Sequence, residues 1–201
     1  MSGHIKKAAI AKCRDRLTRA RAALYNCRNA PDYHSFCRAW TDFLMAGGAI
    51  INIIETGARS TPQGRQWYGG ERTKARADPL LRYMYQARNG EEHGLEPVVH
   101  HRPTGLLVGG PGESVVTSNL KFDSMGNPSG TFYNPEGKPL SVKIAPARPV
   151  LAPVRDERHG DVFDPPKEHL GKPISDPHPL TVGTLYLDYL EGFVAEAEAR
   201  S

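Results

Sequence analysis

A chain of 201 residues is long enough for one large domain, or for a helical bundle with a smaller attachment. Its 24% charged and 39% hydrophobic residues exclude a disordered composition, and no apolar run approaches the roughly 20 residues that cross a bilayer. The formal net charge of +4 is unevenly spread: residues 1–30 carry eight basic side chains against Asp15 alone, and residues 151–201 carry ten acidic against five basic ones.

A basic stripe of that kind can follow a phosphate backbone, or be the solvated face of a helix, or match the acidic region at the other end. No apolar core segment follows the basic start, so no secretory signal is expected and the chain is placed in the cytosol. The three cysteines, Cys13, Cys27 and Cys37, are odd in number and form no C-x-x-C pair; free, buried thiols are the expectation.

In chain order, Ile10, Cys13, Leu17, Ala20, Leu24 and Cys27 alternate in steps of three and four, predicting a helix over residues 3–28 with a narrow apolar seam. Asn29-Ala30-Pro31 breaks it. Phe36, Trp40, Phe43, Gly47, Ile50 and Ile54 repeat the spacing and predict a second helix over 32–58, antiparallel to the first. Gly47-Gly48 in its middle costs about 1 kcal/mol per glycine relative to alanine, which suits a close approach by a neighbouring helix. The polar stretch that follows, with Trp67 and Tyr68, leaves room for a short helix, against which Gly69-Gly70 weighs. Asp78-Pro79 is a start signal, an N-cap followed by proline at the first helical position, for a third helix ending near His93 and stopped by Gly94 and Pro97.

From Val98 the pattern becomes one of short apolar or β-branched runs: Val98-Val99, Leu106 to Val108, Val115 to Thr117, Thr131 to Tyr133 and Leu140 to Ile144. They alternate with turn chemistry at Gly109-Gly110-Pro111-Gly112, Met125-Gly126-Asn127-Pro128 and Asn134-Pro135-Glu136-Gly137. This predicts a small antiparallel sheet or barrel-like meander. Residues 146–179, rich in proline and charge, are expected to lie extended on the surface. Val182, Leu185, Tyr186, Tyr189, Leu190, Phe193 and Val194 are in helical register and return the chain to the bundle.

The third helix closes in Arg88-Asn89-Gly90-Glu91-Glu92-His93-Gly94. This resembles the signature of HEPN proteins (higher eukaryotes and prokaryotes nucleotide-binding): an arginine, usually followed by a polar residue, then a histidine after four to six intervening positions. The resemblance covers residues 1–97 and 180–199 and implies a mainly helical bundle. The β-rich run has no counterpart in it, so the chain as a whole is expected to be an α+β protein, an HEPN-like four-helix bundle carrying a β-rich insertion between the third and last helices. The corresponding segments are 1–97 for the first part of the bundle, 98–150 for the insertion, 151–179 for an extended proline-rich linker and 180–201 for the returning helix.

The resemblance also implies a homodimeric, metal-independent endoribonuclease, a toxin or phage-defence effector, with RNA as substrate and no cofactor. In that role His93 would serve as general base or acid for attack of a ribose 2′-hydroxyl, and Arg88 would hold the phosphate. Asn89, four residues before His93, would orient the imidazole or the substrate. Arg88 and His93 stand five positions apart, about 140° around an ideal helix. A shared phosphate therefore requires the helix to loosen near Gly90, or a second subunit. HEPN toxins with a nucleotidyltransferase antitoxin often carry tyrosine two positions after the histidine; here Leu95 stands there.

Arg28-Asn29…His34 has the same spacing, across a turn that Pro31 disrupts, so position on a helix rather than spacing favours Arg88 and His93. The same residues also read as a well-ended helix, with Arg88 paired to Glu92, His93 at the negative end of the dipole and Gly94 as cap. A non-catalytic dimeric module, binding protein or nucleic acid through the β-rich segment, is the rival expectation. His100-His101, His159, His169 and His178 have no common metal-ligand spacing and are expected at the surface. No phosphate-binding loop and no nucleophile elbow is present.

Overall fold

The apolar seams of the helices pack against one another to form the core of the computed structural model, which describes residues 4–110, 112–123 and 128–201. Among these the protein is mixed α+β: helices α1 (Lys7–Arg28), α2 (Tyr33–Ala58), α3 (Pro62–Ala77), α4 (Pro79–His93) and α5 (Pro179–Glu198), with short antiparallel strand pairs between α4 and α5. Contacts divide the chain into a helical unit, residues 1–100 with 150–201, and a β unit, residues 101–149.

Every residue of the predicted seams of α1 and α2 is buried. The N-caps follow from side-chain chemistry: Asp32 accepts from the Ser35 amide at 2.7 Å, and Asp78 from the Leu81 amide at 2.9 Å. At Gly47 an added Cβ would lie 2.6 Å from the ring of Tyr186, so α5 approaches α2 where the sequence leaves no side chain. The Tyr186 ring meets Phe43 edge-on at 6.0 Å, and Phe43 in turn packs on Trp40. Cys13 and Cys27 are buried free thiols and Cys37 is partly exposed. Burial pushes the thiol pKa values up, to about 11 for Cys13 and about 12 for Cys27.

Among the described residues the helices number five, not four. Thr61 accepts from the Gly64 amide at 3.0 Å and Pro62 occupies the first turn, starting α3 in the stretch where Gly69-Gly70 argued against a helix. Nothing lies within 4 Å of where a Cβ would stand at either glycine; they face solvent and interrupt no packing.

Residues 151–179, expected to lie extended, include two short hairpins. β7 (Val154–Arg155) pairs with β8 (Val162–Phe163), and β9 (Glu168–His169) with β10 (Lys172–Pro173). The second hairpin turns through Leu170 and Gly171, both at positive φ, and is tied down from outside itself. The buried Asp78 carboxylate accepts from the Leu170 amide at 2.7 Å and stands 3.1 Å from Nδ1 of His169. His169, expected at the surface, is therefore buried.

In the β unit, β2 (Gly105–Val108) pairs with β5 (Val142–Ala145), and β3 (Val116–Phe122) with β4 (Pro128–Tyr133). β1 (Val99–Arg102) pairs with β6 (Arg148–Leu151) where the chain enters and leaves this unit. These are separate two-stranded ladders among the described residues rather than one meander. Gly109, Gly112 and Gly137 take positive φ at the predicted turns. Pro111 and the turn read at Met125-Gly126-Asn127 lie outside the described residues.

Candidate functional site

α4 runs unbroken from Pro79 to His93, so Gly90 does not loosen the helix. What brings Arg88 and His93 together is the residue between them. Nη2 of Arg88 lies 2.6 Å from Oε2 of Glu92, and Nε2 of His93 lies 3.5 Å from that same oxygen. Guanidinium and imidazole thus converge on a single anionic oxygen within one chain, despite their separation around the helix.

The two side chains differ in setting. Arg88 is 24% exposed, its stem lying across Gly48 of α2, where an added Cβ would come within about 3.1 Å of its Cγ and Nε. Its Nε is buried without a hydrogen-bond partner, a donor left with unused capacity. His93 is 73% exposed at the helix end. Asn89 turns towards the arginine instead of the histidine: its Oδ1 accepts from Nη1 of Arg88 at 3.2 Å. Leu95, two positions after His93, is 98% exposed.

The second copy of the spacing is not assembled. His34 lines a hollow of about 330 Å³ with Arg38, Thr41, Gly90 and Glu91, but Arg28 does not contribute to it. Thr41 donates to Glu91 at 2.7 Å, which fixes the α4 end against α2 on this side. The basic stripe on α1 is partly matched by the acidic tail region: Arg14 pairs with Glu198, and Arg21 pairs with Glu191 at 2.8 Å. Among the described residues no three His, Cys, Asp or Glu side chains converge as a metal site would require.

Sequence reasoning missed the surroundings of Arg88. A cleft of about 400 Å³ opens between α2, α3 and α4 and continues into a smaller hollow of about 90 Å³ that ends on Arg88. Of its arginines, Arg72 and Arg76 on α3 and Arg82 on α4, the first two stand four apart and would have read as one helical face had α3 been recognised as a helix. No helix among the described residues is long and apolar enough to cross a membrane. No protein family, curated protein or solved structure matches this chain.

Proposed function

We propose that the protein is a metal-independent endoribonuclease of HEPN type, acting as a homodimer in a toxin or phage-defence role. The observation that carries the reading is the convergence of Arg88 and His93 on one Glu92 oxygen. Substrate phosphate would displace Glu92, pairing with Arg88 through Nη2 and the unpartnered Nε, a bidentate arrangement that suits phosphate oxygens. His93, exposed, would take the proton of the ribose 2′-hydroxyl as that oxygen attacks the adjacent phosphorus. The P–O5′ bond breaks, leaving a 2′,3′-cyclic phosphate and a 5′-hydroxyl protonated by water, while Arg88 stabilises the charge that develops on the phosphorane oxygens. Asn89 would hold the guanidinium in plane rather than orient the imidazole.

A second reading is favoured by the same ion pair. Arg88 bonded to both Glu92 and Asn89 is also what a well-ended helix in a non-catalytic interaction module would show. Cleavage of total RNA and of tRNA in EDTA, by wild type, His93→Ala and Arg88→Ala, decides between them. The ribonuclease reading expects cleavage by wild type and its loss, by a factor on the order of 10² or more, in both folded variants. Equal cleavage by His93→Ala, or none by wild type, moves the assignment to the module.

A further inference from the structure

The cleft that ends on Arg88 is lined by arginines and aromatic rings. Three arginines face it, Arg72, Arg76 and Arg82, and none forms a salt bridge among the described residues. The two acids that share its wall are engaged elsewhere. Glu55 binds Arg59 at 2.7 Å and accepts from the Tyr68 hydroxyl, and Glu71 binds Lys74 at 2.7 Å. The wall is therefore left with uncompensated positive charge.

Aromatic rings line the same space. Tyr85 is 61% exposed although it stands on a helix whose other large side chains are mostly buried. Phe163, held by the β7–β8 hairpin, carries the Arg82 guanidinium 5.2 Å from its ring centre, and Tyr189 closes the floor. An exposed ring beside unpaired arginines, in a cleft of about 400 Å³, matches one chemistry: a flat π-face attached to an anion.

We infer that this cleft is a nucleotide subsite for single-stranded RNA, with a base stacked on Tyr85 and the backbone phosphates on Arg72 and Arg76. The inference rests on the ribonuclease reading, because the cleft and the Arg88 hollow share Ile51, Asn52, Leu81 and Tyr85 as walls. A strand seated there would be led towards Arg88, and the bases it presents, not the motif itself, would set which linkage is cut. An acidic peptide would satisfy the arginines but leave Tyr85 without a role.

The test is fluorescence anisotropy with a labelled single-stranded RNA of about ten nucleotides, a length within the usual range for such grooves. The proteins compared are wild type, Arg72→Ala/Arg76→Ala, Tyr85→Ala, His93→Ala, and Lys12→Ala/Arg19→Ala on the far basic stripe, each checked for folding by circular dichroism. Cleft variants should bind at least about tenfold more weakly. The double arginine variant should also lower the slope of log affinity against log salt by about 1.4, the value for two single-strand phosphates. His93→Ala should bind as wild type while failing to cleave, so that loss of cleavage and loss of the subsite are read separately. The inference is overturned if the cleft variants bind as wild type does, or if the α1 variant loses as much. It is also overturned if oligo-glutamate competes as well as RNA and Tyr85→Ala is indifferent.

Discussion

The helical unit and the β unit hold their shapes by different means. In the helical unit Trp40, Phe43, Leu44, Ile50, Ile54, Leu80 and Met84 are almost wholly removed from water, and α1, α2, α4 and α5 each bury one stripe against their neighbours. In the β unit Phe132 is the single buried residue among those described, while Leu107, Val116, Leu120, Phe122 and Val142 stay exposed. Side-chain burial specifies the first; ladder hydrogen bonds and glycine turns specify the second. Two-stranded pairs are marginal by themselves, so the second unit should be the softer of the two.

That contrast fails most visibly if the helical core is not the source of stability. Trp40 is 1% exposed, stacked near Phe36 and packed on Phe43, and Trp40→Ala is expected to cost about 3–5 kcal/mol through lost burial and the cavity left behind. Urea unfolding followed by helical circular dichroism measures it. A cost under about 1 kcal/mol would place the main core elsewhere.

Asp78 is the point where the helical unit holds its own irregular segment. Burial alone would raise its pKa, but hydrogen bonds from the Leu170 and Leu81 amides and from His169 outweigh it and hold the carboxyl below its ordinary value of 3.8. Asp78→Ala removes an N-cap and leaves the Leu170 donor unmatched, for an expected loss of about 3 kcal/mol near neutral pH. Because the folded pKa is depressed, this stabilisation is complete above the ordinary value and is lost as pH falls through the folded one. The gap between wild type and variant should therefore narrow below about pH 4. A gap that widens on acidification would mean that the carboxylate is not what anchors the hairpin.

How far the sequence led tracks whether a feature is set by local rules. α1, α2, α4 and α5 were legible because three–four spacing and the Asp78-Pro79 start signal are written in neighbouring residues. α3 was not, since Gly69-Gly70 lowers helix propensity and the reason it is tolerated, open space at both positions, lies outside the segment. The β9–β10 hairpin was illegible for a similar reason: its anchor, Asp78, is some 90 residues away in the chain. At the candidate site, position at the end of a helix selected Arg88, Asn89 and His93 but not their arrangement. That depends on Glu92 as a shared partner and on Gly48 leaving room for the Arg88 stem.

The glycines turn this lesson into a paired measurement. Gly47→Ala would set a methyl carbon 2.6 Å from the Tyr186 ring in a packed core, and should cost about 2 kcal/mol through overpacking. Gly69→Ala meets nothing within 4 Å on the exposed side of α3, and should instead stabilise by up to about 1 kcal/mol through helix propensity. Opposite signs in thermal unfolding are the expected result. A destabilising Gly69→Ala would mean that the outer face of α3 is covered in solution.

The smallest effect belongs to the β unit and is the sharpest check on the comparison. Phe122 ends β3 at 65% exposure, beside a bulge between Ser118 and Lys121 where Asn119 takes a φ of 54°. Gly130 faces that bulge, and a Cβ there would lie 3.2 Å from the Leu120 Cα, so backbone accommodation and not side-chain packing sets the register. Phe122→Ser then removes little that water does not already reach, and should change unfolding free energy by no more than about 0.5 kcal/mol. Gly130→Ala, which touches the ladder itself, should do more. If Phe122→Ser proves the more damaging of the two, the exposed face of β3 is holding something, and the distinction between a packed unit and a hydrogen-bonded one no longer stands.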